Sequence, residues 1–227
     1  MSQQTKKPKS IINGYLIIDK PYGISSNRVL SQIKRYYQPQ KVGFLGTLDP
    51  MATGVLVICF GWCTKMVDYL HTKEKTYQAR VEFGAKTASL DKESPIIDTC
   101  PLPSVQKETC LDILSRLTGI IEQEIPAYSA CKYKGQARYH YARENITIEP
   151  KSKKVVINAI ELLNLHYDDC EGALLSSMEI QVRCQSGTYI RMLAEQIASL
   201  CDTYGYLSAL RRTDSLGGLN VAMYTLE

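Results

Sequence analysis

The sequence predicts an α+β fold with a mixed, largely antiparallel sheet flanked by helices. Apolar residues alternate with polar ones in some segments and recur at helical spacing in others. The two kinds of segment follow one another without the regular strand–helix–strand repeat of parallel α/β proteins. With 227 residues, of which 44% are hydrophobic, the chain is long enough for an ordinary packed core.

The N-terminal half carries the clearest signals. Residues 15–18 form a short apolar run that ends at a Pro-Gly turn, which predicts a strand. Polar residues at 25–27 precede a stretch with one apolar face, which predicts a capped helix. Residues 55–60 are continuously apolar and 76–83 alternate in polarity, so both predict strands. A short helix is expected between these strands, at 64–70.

The C-terminal half is less regular. A helix capped by Ser104 is expected first, and Gly119 would stop it. Its apolar face would consist of Leu111, Leu114 and Leu117. The remaining expected elements are strands at 155–157, 159–166 and 178–184, a helix opened by Gly187 and Thr188, and, at 206–213, a short helix or turn that precedes a final strand.

Composition divides the chain into a tail and one large domain. Residues 1–10 carry Lys6, Lys7 and Lys9 without a hydrophobic anchor, so we expect a basic disordered tail. Residues 11–227 would form a single domain. Its loop-like composition from 85 to 103 indicates a surface insertion.

Bulk composition also limits the class of protein. The formal net charge of +4 favours binding to polyanions such as nucleic acids only weakly. The N-terminus has no apolar signal segment and no apolar run could span a bilayer, so we expect a cytoplasmic protein without a membrane partner. Since the eight cysteines form no CxxC pair and only three histidines are present, we expect free thiols and no metal site.

The most informative stretch is the glycine-rich segment 41–54, which contains Asp49. Because Pro50 follows, the backbone of Asp49 is pushed toward the extended region, and Gly46 and Gly54 permit tight bends on either side. The carboxylate is therefore held in one direction, as a nucleophile or a general base requires. On local pattern alone, an Asp-Pro turn that only caps the backbone explains the segment equally well.

A second charged residue lies at a helix start. Arg191 falls in the first turn of the helix expected after Thr188, where the helix dipole disfavours a cation by roughly 0.3–1 kcal/mol. A carboxylate partner would compensate for this cost and would itself be kept ionised by the guanidinium. The alternative is an exposed arginine without a partner.

Tyrosines and cations are interleaved between residues 128 and 143. The chain has 15 tyrosines against one tryptophan and three phenylalanines, a set suited to stacking on unpaired bases. Interleaved rings and cations are typical of surfaces that bind single-stranded RNA, although a charged run is more often a solvated face. The cluster comprises Tyr128, Lys132, Tyr133, Lys134, Arg138, Tyr139, His140, Tyr141 and Arg143. Lys151, Lys153, Lys154, Arg211 and Arg212 could extend it.

Six motifs, in order along the chain, resemble those of the TruB-type pseudouridine synthases. The longest is GTLDP at 46–50 followed by ATGVL at 52–56, which looks like the signature around the family's catalytic aspartate. The others are GYLIIDKP at 14–21, KTY at 75–77, PAYSA at 126–130, GTYIR at 187–191 and LRR at 210–212.

This resemblance implies an activity. A uridine in the T loop of tRNA, at the family's usual position, would be flipped out and isomerised to pseudouridine without cofactor or metal. The N-glycosidic bond would break, the base would rotate, and C5 would join C1′. The partner would be tRNA, and we expect a monomer.

The resemblance also implies roles for single residues. Asp49 would act close to C1′ and Arg191 would pair with it. Tyr77 would stack on the target base and is a candidate general base. Without the resemblance, Tyr77 would be interpreted as a core tyrosine and Lys20 as a solvated lysine. The residues expected to bind substrate or RNA are Lys20, Phe44, Tyr128, Lys132, Arg138, Tyr189, Leu210 and Arg211.

The chain departs from the family pattern in three places. Phe44 and Leu45 stand where the family usually has histidine and threonine, although phenylalanine can still stack. The family's T-D-T-x-D-x-x-G run appears as residues 87–94, in which Asp91 is kept. No C-terminal RNA-binding domain, which many members carry, is evident after the LRR motif, so we expect weaker RNA affinity.

Two other functions fit parts of the sequence. The altered GFLG segment is compatible with a non-catalytic tRNA-binding or tRNA-folding protein on the same scaffold. The presence of Asp49, Tyr77 and Arg191 together argues against that alternative. An aspartate-dependent phosphotransferase is disfavoured, because the sequence contains no glycine-rich phosphate loop with its lysine.

Overall fold

The computed structural model describes residues 10–71, 74–168, 174–218 and 222–226 and divides the chain into two compact units. The N-terminal unit consists of Met1–Glu74 with Arg211–Glu227, and the central unit is Lys75–Leu210. The predicted basic tail lies outside the described residues except for Ser10, whose backbone hydrogen-bonds that of Gln38 and Gln40.

The N-terminal unit is built around strand β3. Its elements are β1 (Gly14–Lys20), α1 (Ser26–Tyr37), β2 (Val42–Leu45), β3 (Thr53–Phe60), a 3₁₀ helix (Gly61–Met66), α2 (Val67–His71) and the last residues of β12 (Gly205–Asp214). β3 pairs antiparallel with β1 and β2 and parallel with β12. The predicted strands at 15–18 and 55–60 are therefore confirmed.

Helix α1 follows its sequence signals. The Ser25 hydroxyl accepts a hydrogen bond from the Arg28 N–H, which satisfies one free donor of the first turn. Val29 and Ile33 are buried on one face. The helix ends where Gln38 adopts a left-handed conformation with φ 47°.

Strand β2 lies in the segment whose glycines suggested a loop. Its last residue, Leu45, is fully buried and packs in a core with residues of β1 and β3. That core consists of Ile17, Leu45, Val55, Val57, Cys59 and Leu216. The pairing with β3 therefore imposes a strand that local composition does not favour.

The central unit is a five-stranded sheet with helices and two small ribbons. Its elements are β4 (Lys75–Phe83), β5 (Ala85–Thr87), β6 (Ile96–Thr99), α3 (Lys107–Arg116), β7 (Gly119–Glu124), β8 (Lys132–Tyr133), β9 (Gln136–Ala137), α4 (Arg138–Arg143), β10 (Ser152–Tyr167), β11 (Leu175–Cys184), α5 (Ile190–Leu200) and the start of β12. The strand order is β12-β4-β11-β10-β7. Its last four strands pair antiparallel, and α5 contacts β4, β7 and α3.

The chain from 206 to 213 differs from its prediction. It is entirely strand, whereas a short helix or turn was expected before a final strand. Leu207 and Leu210 are both buried although they are three residues apart, so burial does not alternate regularly along this strand. The strand pattern is hidden because Arg212, a charged residue, is as buried as the leucines.

Two further elements differ in their boundaries. Helix α3 begins after Gln106 rather than at Ser104, and Leu111 is exposed while Cys110, Ile113 and Leu114 are buried. The strands expected at 155–157 and 159–166 form one strand, β10, with a register shift between Ile157 and Ala159.

The segment 85–103 has two parts. β5 and β6 form a ribbon whose second strand is exposed, as a surface insertion would be. The chain between them is not entirely a surface feature, because Ser89, Leu90 and Asp91 are buried. No helix in the described part of the chain is long and apolar enough to cross a membrane.

We predict that Gly54→Ala destabilises the protein. Gly54 has a φ of +96° and lies opposite Arg212 in the parallel β3–β12 pair, so an added Cβ would overlap the Arg212 carbonyl oxygen. We expect the free energy of unfolding, measured by urea denaturation, to fall by at least about 2 kcal/mol. Gly43→Ala is the matched control, since no atom lies within 4 Å of its added Cβ. Equal stability of the two variants would contradict the prediction.

Candidate active site

Asp49 lies in a bend between β2 and β3 whose backbone is fixed at several points. Its own carbonyl accepts the Ala52 N–H at 3.1 Å. The preceding residue, Leu48, is held by the buried Ser26 hydroxyl, which accepts from the Leu48 N–H and donates to the Leu48 carbonyl, both at 2.9 Å. Because Ser26 is the first residue of α1, the helix start fixes the chain directly before Asp49.

The residue after Asp49 is fixed by a buried cation. Lys20 has no exposed surface, and its ammonium donates to the carbonyls of Pro21, Ile24 and Pro50 at 2.9, 2.6 and 3.1 Å. The Gly23 N–H donates to the same Pro50 carbonyl at 2.9 Å. Lys20 is thus not the solvated lysine that its turn suggested, and it supports the Asp49 bend. Its predicted contact with substrate stays a prediction.

A second buried cation holds the two ends of the bend. The Arg212 guanidinium, 1% exposed, donates to the Val55 carbonyl at 2.7 Å and to the Gly46 carbonyl at 3.0 Å. The sequence-based suggestion that Arg212 extends an RNA-binding surface is therefore wrong. A side chain that is already surrounded by carbonyl groups inside the protein is not available to a phosphate.

Three other predicted residues occupy the strands near this bend. Phe44 is half-buried in β2 and, by strand alternation, points to the face opposite the buried Leu45. Leu210 is buried in β12. Arg211 makes a two-point ion pair with Asp19, at 3.0 and 2.7 Å, and these bonds raise the pKa of the guanidinium. Their contacts with RNA stay predictions.

In the central unit, Arg191 has the carboxylate partner that its helix position calls for. It is the second residue of α5, and its guanidinium lies 3.6 Å from the Asp91 carboxylate. Both side chains are buried, at 5% and 3% exposure. The guanidinium also donates to the carbonyls of Ser89 and Tyr128 at 2.6 and 2.7 Å. The alternative of an exposed, unpaired arginine is therefore wrong, whereas pairing of Arg191 with Asp49 stays a prediction.

Asp91 is itself oriented by its own loop. One carboxylate oxygen accepts the Ser89 hydroxyl at 2.5 Å and the Glu93 N–H at 3.0 Å, while the other faces Arg191. Sequence reasoning missed this role. One feature of the sequence could have indicated it: Asp91 matches the family's T-D-T-x-D-x-x-G run, although several other positions of that run differ.

Tyr77 and Tyr189 both belong to the central unit, Tyr77 in strand β4 and Tyr189 at the start of helix α5. Tyr77 is 8% exposed in β4, opposite Val182 of β11. Tyr189 is the N-cap of α5, and burial raises the pKa of its phenol. The Lys153 ammonium lies 4.4 Å from the Tyr189 ring centre and donates to the Gly187 carbonyl.

Gln123, which sequence reasoning missed, fixes the peptide of Tyr189. It has no exposed surface; its amide oxygen accepts the Tyr189 N–H at 3.0 Å and its amide nitrogen donates to the Tyr189 carbonyl at 3.3 Å. Tyr189 provides no side-chain cap for α5, and Gln123 accepts one of the free N–H groups at this helix start, that of Tyr189 itself. No local sequence pattern points to this contact, which joins residues 66 positions apart.

The tyrosine- and lysine-rich segment folds into the β8–β9 hairpin and helix α4. Lys134 and Gly135, both with positive φ, form its two-residue turn, and Lys132 is exposed. Arg138, by contrast, is 4% exposed and donates to the Glu149 carbonyl at 3.1 Å. Some of the predicted cations of this segment are therefore exposed to solvent. Arg138 is instead buried, and it bonds a backbone carbonyl of the protein.

The described residues contain no group of three or more His, Cys, Asp or Glu side chains that could hold a metal ion. The chemistry assembled here is that of carboxylates, guanidinium groups and phenols. Asp49 in a fixed bend is suited to nucleophilic attack or charge stabilisation, and Arg191 is fixed at a helix start by Asp91.

Solved structures share the fold of this chain. One is a Cbf5-Nop10-Gar1 complex, with TM-score 0.69 and 23% identity over 94% of this chain and 52% of that one. Another is an H/ACA RNP bound to a substrate RNA containing 2'-deoxyuridine, with TM-score 0.65 and 22% identity over 93% of this chain and 50% of that one. These likenesses confirm the predicted α+β fold.

Sequence comparisons point to one family. A family model described as TruB family pseudouridylate synthase (N terminal domain) matches residues 34–190. The tRNA pseudouridine synthase B of Francisella tularensis subsp. tularensis (strain WY96-3418) is 44% identical over 211 residues, which are 92% of this chain and 67% of that protein. The protein of the same name from Francisella philomiragia is 42% identical over the same length. On this similarity, and on the motif that surrounds Asp49, the chain belongs to the TruB family of pseudouridylate synthases.

Proposed function

We propose that this chain isomerises a uridine of tRNA to pseudouridine and that Asp49 acts at C1′ of that uridine. Curated relatives carry the name of this activity, and the chain spans 67% of their length. The observation that carries the proposal is the Asp49 bend. Its GTLDP motif is that of the family, and its backbone is fixed on both sides by Ser26 and Lys20.

The reaction rearranges bonds within one nucleoside. The C1′–N1 bond breaks with its electron pair on N1, the base rotates, and C5 forms a bond to C1′. The proton on C5 is then lost and N1 gains one, so the composition is unchanged. An ionised carboxylate can act either as nucleophile at C1′ or as a stabiliser of the positive charge that develops there. Both roles require a carboxylate that does not move away, which the bend provides.

The uridine must first leave its stack, which costs a few kcal/mol. We assign RNA contacts to residues 128–143, where exposed cations can bind phosphates and half-buried tyrosine rings can stack on bases. Tyr77 and Arg191 are proposed as further catalytic residues, on the family resemblance. The T loop as target, the monomeric state and the cytoplasmic location also stay predictions.

Asp49→Asn tests the proposal. The amide has nearly the same shape but no charge, so we expect pseudouridine formation to fall by about a thousandfold or more. Unmodified tRNA is incubated with each protein, and pseudouridine is mapped by carbodiimide-blocked primer extension. Asp112→Asn, at an exposed position of α3, is the matched control and should retain activity. Modification by Asp49→Asn at the wild-type rate would remove Asp49 from the mechanism.

The same assay separates the second candidate function. A non-catalytic tRNA-binding protein would bind unmodified tRNA tightly and give no product with wild-type protein. The altered residues before the GTLDP motif, Phe44 and Leu45, are the observation that favours this candidate.

We predict that Phe44→His retains or improves turnover. Phe44 is half-buried on the face of β2 opposite Leu45, so the change leaves the hydrophobic core intact and restores the ring that the family usually has. Single-turnover rates on unmodified tRNA, compared with wild type, measure the effect. A collapse of activity with an unchanged unfolding transition would contradict this prediction.

Asp91→Asn should lower both stability and activity. The change removes the carboxylate charge that lies 3.6 Å from the buried Arg191 guanidinium, and breaking a buried ion pair typically costs about 3–5 kcal/mol. Urea unfolding measures the first effect and single-turnover pseudouridine formation the second. Asp112→Asn again serves as control. If the urea unfolding midpoint and the rate of pseudouridine formation both matched those of wild type, the ion pair with Asp91 would not be needed to position Arg191.

A further inference from the structure

A groove of about 300 Å³ lies in the N-terminal unit, apart from the side chains that hold the Asp49 bend. It is lined by residues from three segments, at 11–13, 40–41 and 61–65. Its most exposed lining residues include Trp62, at 69% exposure, and Ile11, at 79%. Neither the family motifs nor the proposed mechanism uses this groove.

The groove is formed by close backbone contacts. The Gly61 N–H donates to the Lys41 carbonyl and the Trp62 N–H to the Asn13 side-chain oxygen, both at 2.9 Å. Gly61 has a φ of +53°, and a Cβ there would overlap Asn13 and the Ile12 carbonyl. The three segments are therefore joined before any ligand arrives, so binding would order few additional groups.

The chemistry of the groove is aromatic and cationic. The Lys65 ammonium lies 4.1 Å from the centre of the Trp62 ring, and Lys41 also lines the groove. No carboxylate is among its lining residues in the described part of the chain. An exposed indole beside two ammonium groups is the combination that binds a base by stacking and a phosphate by charge.

We propose that this groove binds one nucleotide of the tRNA outside the reacting uridine, with its base stacked on Trp62 and its phosphate beside Lys65 and Lys41. This inference rests on the proposed function, because it takes tRNA as the ligand. The Lys65 ammonium, which lies over the indole in the free protein, would then turn to the phosphate.

Size and charge both favour a nucleotide over a protein partner. The volume is at the lower end of the roughly 300–1,000 Å³ of small-molecule sites, which suits one nucleotide. A partner helix would need a longer apolar groove with several anchor pockets. The two cations without a lining carboxylate instead complement a polyanion.

Trp62 provides its own test, because it is the chain's only tryptophan. Unmodified tRNA is titrated into wild-type protein while tryptophan fluorescence is recorded. We expect a saturable change in fluorescence whose Kd agrees with that from filter binding. This readout does not depend on turnover.

Variants add a second, independent measurement. Trp62→Ala should raise the Kd for tRNA about tenfold, and Trp62→Phe should restore most of the affinity, since a phenyl ring also stacks. Lys65→Gln should weaken tRNA binding. It should also reduce the slope of log Kd against log salt concentration by about 1, which corresponds to the loss of one phosphate contact. Tyr36→Ala is the matched control, because Tyr36 is an aromatic residue that is even more exposed than Trp62, at 81%, and does not line the groove.

The outcomes separate this inference from the proposed function. Unchanged fluorescence at saturating tRNA, together with a wild-type Kd for Trp62→Ala, would overturn the groove assignment even if pseudouridine is formed. A fluorescence change and a raised Kd without any product from wild-type protein would support the groove as an RNA site. That second result would instead overturn the proposed isomerase activity.

Discussion

The bend that carries Asp49 depends on buried polar side chains that hold its backbone. Lys20 and Arg212 have almost no exposed surface, and both donate to backbone carbonyls of this bend. Burial of a cation is costly unless acceptors replace the lost water. The carbonyls of Gly46 and Pro50 are among these acceptors, so the native shape of the bend helps to compensate for the burial of both cations.

The same principle operates in the central unit. Arg191 is buried at a helix start, where both the dipole and the loss of water disfavour it. The carboxylate of Asp91 and two carbonyls compensate for these costs. In both units, therefore, a candidate catalytic residue is set in place by buried ionic or polar contacts, while apolar packing surrounds them.

Sequence alone could predict much of the fold, because the strands β1, β3 and β4 and the helix α1 have strong patterns and clear end signals. It failed where tertiary contacts override local composition. β2 contains a glycine and lies in a glycine-rich stretch, and its strand form depends on pairing with β3. In β12, the buried Arg212 breaks the expected alternation. Neither effect can be recognised without knowing the partner strands.

The candidate site was predictable only as far as its motifs extend. Family resemblance indicated Asp49, Tyr77 and Arg191, but nothing in the local sequence distinguishes a cation that binds phosphate from one that binds carbonyls inside the protein. Arg212 and Arg138 are of the second kind. Gln123 and Asp91 were missed as supports because their partners lie far away in sequence, although the altered motif around Asp91 was a signal for that residue.

The hydrogen bonds of Ser26 have a consequence for how the protein folds. They join residues 22 positions apart, so the segment between them must close as a loop before they can form. We therefore expect the bend that carries Asp49 to reach its native shape late, when helix α1 docks, and a Ser26→Ala change to accelerate unfolding far more than it slows refolding.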